Sequence, residues 1–107
     1  MTSAEFVDCR KLGAGTLIDV ETKNRHYQIE WLGGDAMRIS GHPDICPTPV
    51  TAELKGSSMN GVCFEAGLIG CGWNMKFLVG DGTPVRTSVV LKVHVQPVVA
   101  PLSMSIH

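Results

Sequence analysis

The sequence predicts a small, mainly β domain: a closed or half-open antiparallel β-barrel of about six or seven strands. A small β-sandwich is the alternative. Three observations carry this expectation. Apolar and polar residues alternate with a period of two through most of the chain, as in half-buried strands. Gly, Pro, Asn-Gly and Asp-Gly break the pattern at short intervals. Val85–Val95 is one unbroken run, long enough to bend and close a sheet on itself.

Residues 2 to 12 open the chain ambiguously. Thr2 and Glu5 have the spacing of a capping box, Phe6 and Cys9 lie three apart, and Gly13 could end a short helix. A leading strand through Phe6 and Val7 is the other reading. Gly13-Ala14-Gly15 then leads into the central meander. Its first strand is Thr16–Thr22, with Ile18, Val20 and Thr22 on one face. Lys23-Asn24 turns the chain, since Asn tolerates the left-handed backbone of a hairpin. The return strand, Arg25–Leu32, places Tyr27, Ile29 and Trp31 together. Gly33-Gly34 supplies the next turn. Ala36–Ser40 follows, with Met37 and Ile39 inward.

His42 to Pro49 is a loop, because Pro43, Pro47 and Pro49 cannot donate to a ladder. Val50–Lys55 is expected as a strand with Val50, Ala52 and Leu54 inward, and residues 56–61 as a loop with Asn60-Gly61 as its hairpin signal. Val62–Ala66 is a short strand. Gly67, Gly70 and Gly72 imply a sharp bend. Trp73–Val79 brings Trp73, Met75, Phe77 and Val79 to one face, and Asp81-Gly82 turns the chain into Val85–Val95. There, Val85, Thr87, Val89, Leu91, Val93 and Val95 are expected to share one face, alternating with Arg86, Ser88, Val90, Lys92 and His94.

One domain, residues 1–96, accounts for the pattern. Residues 97–107 form a separate apolar tail without Lys, Arg, Asp or Glu. Disordered tails are rich in charge, so this one is expected to dock on its own barrel or on a neighbouring subunit.

Composition narrows the function. Of 107 residues, 44% are apolar and 18% charged, with a net charge of −1. The charged fraction lies below the ~25% usual for soluble domains, which leaves surface for another subunit. Homo-oligomerisation through the tail or through edge strands is the expectation. No basic stripe of the kind that grips phosphates is visible. No apolar run approaches the roughly 20 residues that span a bilayer, and MTSAEFVDCRKL does not read as a leader. A cytoplasmic protein is the expectation, its four cysteines being mostly free thiols rather than a disulfide framework.

Part of the chain has a likeness to known sequences. GTLIDVETKNRHYQIEW, RISGHP, GLIG with GWNMKF, and RTSVVLKVHV resemble segments of short bacterial β-rich proteins of unknown function. The likeness spans residues 13 to 95. It implies a bacterial β-domain and no activity. By architecture alone the strand–turn–strand shape is also similar to Sm-like and SH3-like barrels, which licenses no function.

Three chemistries have candidate residues. Tyr27, Trp31 and Trp73 could line a small-ligand pocket, although core packing is the plainer use of such rings. Arg25, Arg38, Lys76, Arg86 and Lys92 could hold single-stranded nucleic acid beside Tyr27. Against that reading, Asp19, Glu21, Glu30 and Glu53 share the outward positions. His42, Cys46, Cys63 and Cys71 are Zn²⁺-type ligands, but no C-x2-C knuckle organises them, and no cofactor is expected. Catalysis is disfavoured. Ser57-Ser58 and the histidines at 26, 42 and 94 match no nucleophile or metalloprotease signature, and Gly67-x-x-Gly70-x-Gly72 has the wrong spacing for a phosphate loop.

Overall fold

The computed structural model describes residues 2–59, 62–80 and 82–96; of residues 2–4 and 62–64 it describes the backbone. The expected tail at 97–107, the Asn60-Gly61 turn and Asp81 lie outside the described residues. Ten strands account for most of the rest. They are β1 (Thr2–Ala4), β2 (Phe6–Asp8), β3 (Leu17–Thr22), β4 (His26–Gly33), β5 (Ala36–Ser40), β6 (Val50–Met59), β7 (Val62–Ala66), β8 (Leu68–Gly70), β9 (Asn74–Val79) and β10 (Pro84–Gln96).

All ladders are antiparallel, and they close into a ring. β10 pairs β3, β3 pairs β4, β4 pairs β5, β5 pairs β6, β6 pairs β9, and β9 returns to β10. The ring closes unevenly about its axis. β1 adds to the free side of β10, β7 adds to β6, and β2 with β8 forms a separate two-stranded ladder. This is the small, mainly β, barrel-like fold that the alternation predicts. Among the described residues no helix is long and apolar enough to cross a membrane.

Two long strands make closure possible. The first part of β10 pairs β9 through Pro84, Val85, Arg86 and Val89; from Val90 onward it pairs β3. β6 meets β5 at its start, β9 along most of its length and β7 at its end. A strand serving different neighbours along its length must bend, and register shifts mark the bends at Arg86/Val89, Val90/Lys92, Leu54/Gly56 and Ser57/Ser58.

These bulges overturn several expectations from strict alternation. Val90 points into the core, while Val89 and Leu91 are exposed. A single extra residue reverses every later side chain, which is how Val93 returns to the interior. The loop expected at 56–61 is strand through Met59. Gly56, at φ 133°, sits against the facing strand so tightly that a Cβ would overlap the Glu65 carbonyl. The N-terminal helix is absent. Its place is taken by β1, β2 and a 3-10 turn at Cys9–Lys11, because backbone groups on β10 and β8 pair these residues as strands.

The core follows from the inward faces. Ile18, Val20, Tyr27, Ile29, Trp31, Met37, Ile39, Leu54, Met75, Phe77, Val90 and Val93 are all buried. Tyr27 meets Phe77 edge to face, with ring centroids 6.0 Å apart and planes at 76°. Val7, Cys9 and Ile69 seal one end of the same cluster.

Candidate functional sites on the barrel surface

The sequence-predicted site residues fall in three different settings. Tyr27 and Trp31 are core residues, 2% and 1% exposed. Burial also pushes the Tyr27 hydroxyl above its ordinary pKa. Trp73 is half-buried just ahead of β9, its ring lying over Gly70, where a Cβ would strike it. The three aromatics therefore line no common mouth.

The metal candidates are not gathered either. Cys46 is fully buried, and His42 bridges to it through backbone only: the Cys46 amide donates to the His42 carbonyl at 2.9 Å. The His42 ring turns instead to its own loop, where Nδ1 accepts from the Asp44 and Ile45 amides at 3.2 and 3.3 Å. Cys71 is half-buried in the Gly70–Trp73 turn, and the side chain of Cys63 lies outside the described residues. Among the described residues no three His, Cys, Asp or Glu side chains are grouped to hold a metal.

The cysteines at 9, 46 and 71 are thiols. Burial, with the Asp8 charge beside it, raises the Cys9 thiol to about 12, so Cys9 is no nucleophile at neutral pH. Asp8 accepts from the Arg10 amide and guanidinium at 3.1 Å, and these bonds hold its carboxyl below its usual range. Ser57 donates to the Leu68 carbonyl at 2.7 Å, whereas the buried Ser58 hydroxyl finds no partner among the described residues. His26 donates to Asp19 at 2.6 Å on the outer face of β3 and β4.

Three surface features remain. The first is a groove of about 360 Å³ across the outer face of β10, β3, β4 and β5. Gln96 and His94, then Leu17 and Asp19, then Gln28 and Glu30, then Arg38 and Ser40 line it strand by strand, with Pro49 closing one side. Two of its charged side chains have partners: Arg38 meets Glu30 at 3.0 Å, and Asp19 accepts a hydrogen bond from the His26 ring.

The second is a basic strip. Lys76 and Arg86 stand directly opposite in the β9–β10 ladder. The β3–β4 turn is tied to the next residues of β10, since the Asn24 amide donates to the Ser88 hydroxyl at 3.1 Å and the Lys23 amide to the Val89 carbonyl at 2.9 Å. Exposed Lys23 and Arg25 thus come to the side where Arg86 projects. The other two basic candidates lie apart: Arg38 is bound to Glu30, and Lys92 stands opposite Glu21.

The third is apolar. Phe6 is 60% exposed, Leu91 50% and Val89 37%. The turn from Gly70 to Trp73 lies between their segments. Phe6 pairs Gly70, the Cys71 amide donates to Glu5, the Gly72 amide donates to Val90, and the Val90 amide donates to Trp73. Phe6 and Leu91 therefore flank one narrow turn, separated by about two strand spacings, or roughly 10 Å. Sequence reasoning missed this patch because strict alternation puts Val89 and Leu91 on the same face as the buried Val85 and Val93. The bulges that expose them leave no mark in the alternation.

No family model, curated protein or solved structure matches this chain.

Proposed function

We propose that the chain is a non-enzymatic binding and assembly module that pairs with a second copy of itself. The contact is the apolar surface of Phe6, Val89 and Leu91 together with the neighbouring outer edge of β1. The exposure of these three side chains around one turn carries the reading. Large apolar side chains gathered on a surface favour a partner that removes them from water. Among the described residues β1 stands at the end of the strand order, and an edge strand offers backbone groups for pairing. A two-fold contact between identical edges is the simplest closed arrangement. A cytoplasmic location fits the buried thiols.

Light scattering on Phe6→Lys and Leu91→Lys tests the reading. Each variant is expected to fall to the mass of one chain while keeping its near-ultraviolet circular dichroism. Unchanged dimer mass in both would reject this surface as the contact.

The basic strip favours a second reading, a single-stranded nucleic-acid binder using Arg25, Lys76 and Arg86. Neutralising a few phosphates makes binding strongly salt-dependent. Fluorescence anisotropy with a labelled oligonucleotide should then show binding that weakens with salt and is lost in Arg86→Glu. Salt-independent or absent binding would dismiss it.

A further inference from the structure

The groove over β10, β3, β4 and β5 has an occupant in the chain itself. We infer that residues 97–107 fold back and dock their apolar side chains in this groove of the same molecule. Four observations support this, and none depends on the self-association surface.

Position comes first. Gln96, the last residue of β10, lines the groove, so the following segment leaves the barrel at the groove's rim. Pro97 has no amide proton with which to extend the β10 ladder. Reach is second. The groove spans four strands, about 14 Å at 4.8 Å per interval. Eleven residues extend to roughly 36 Å at 3.3 Å each, ample for crossing it with a turn.

Chemistry is third. Residues 97–107 hold Val98, Val99, Leu102, Met104 and Ile106, and no Asp, Glu, Lys or Arg. The groove's floor carries Leu17, 47% exposed, and its wall carries Pro49. Its Arg38 already contacts the Glu30 carboxylate, and its Asp19 already accepts a hydrogen bond from the His26 ring, so a charged occupant would have to break these contacts. An uncharged apolar peptide need not. Fourth, tethering at the rim gives the segment a local concentration in the millimolar range. A segment from an unassociated molecule meets the groove only at the bulk protein concentration, which favours the intramolecular contact.

The groove is small beside an eleven-residue segment. It has room for a few side chains, and those nearest the tether reach it first. Val98 and Val99 are the residues to follow, with Leu102 next.

Methyl-labelled full chain provides the test. Nuclear Overhauser cross-peaks are expected between the Leu17 methyls and those of Val98, Val99 or Leu102. They should persist on dilution, and in Leu17→Asp the Val98, Val99 and Leu102 methyl resonances should move to the positions of an undocked peptide while the core methyl signals of Val20 and Ile39 stay in place. Unmoved Val98, Val99 and Leu102 resonances would overturn the docking. A sample mixed from differently labelled chains separates the alternatives. Cross-peaks only between labels would mean that the segment docks on a second copy, and would overturn the intramolecular contact. No cross-peaks to Leu17 in either sample would overturn docking in this groove altogether. Should Leu17→Asp fail to fold, Ser40→Lys at the opposite side of the groove is expected to weaken the same cross-peaks.

Discussion

Single residues decide where backbone irregularity is tolerated. Thr87 is the clearest case. Its hydroxyl accepts from the Met75 amide at 3.0 Å and donates to the Ser88 carbonyl at 2.7 Å, while the Asn74 amide group donates to the Thr87 carbonyl at 2.7 Å. These bonds satisfy groups that the register shift beside β9 withdraws from the ladder. Thr87→Val keeps the shape and removes the acceptor, leaving a buried N–H without a partner. The expected cost is about 1–3 kcal/mol, read as a lower denaturation midpoint at unchanged slope; an unchanged midpoint would show that the bulge is held otherwise. Thiol chemistry is equally local. With its pKa raised to about 12, Cys9 stays protonated in the folded state through neutral pH and well above it. Brief alkylation at pH 8 followed by mass mapping should leave Cys9 and Cys46 unmodified and label Cys71 faster. Denaturant should abolish the difference, because the unfolded Cys9 regains an ordinary thiol pKa.

The strand is the scale at which the sequence was most legible, and also where it misled. β3, β4, β5 and β9 have clean alternation because each keeps the same neighbours along its length; Ile18 and Val20, or Met75 and Phe77, could be placed inside from their spacing alone. β6 and β10 change neighbours midway, and the bends needed for this insert residues that alternation cannot register. Val89, Val90 and Leu91 show the consequence: three adjacent apolar residues offer no pattern from which to choose the buried one. The leading strands β1 and β2 were hidden differently. Their pairing partners lie some sixty to ninety residues away on β8 and β10, so local helix signals had nothing nearby to oppose them. Gly56 gave a partial clue, read as a loop when it marks a bulge. A Cβ there would overlap the Glu65 carbonyl at a φ of 133°. Gly56→Ala is therefore expected to destabilise by more than ~1 kcal/mol, and thermal melting would record it. A neutral effect would mean that β7 can shift away from β6.

At the scale of the molecule, the ring of ladders buries one continuous core. Tyr27 and Trp31, two of the three aromatics expected to line a ligand pocket, lie in the core with Phe77, and Phe77→Ala should cost about 3–5 kcal/mol. The surface holds the groove, the basic strip and the Phe6–Leu91 patch, and each has its own chemistry. The central claim is that the patch joins two copies. Sedimentation equilibrium on the unmodified chain, across a hundredfold range of concentration, addresses it most directly. A reversible monomer–dimer equilibrium that collapses to monomer in the Phe6→Lys, Leu91→Lys double variant is the expected result. A single chain's mass at every concentration would contradict the account.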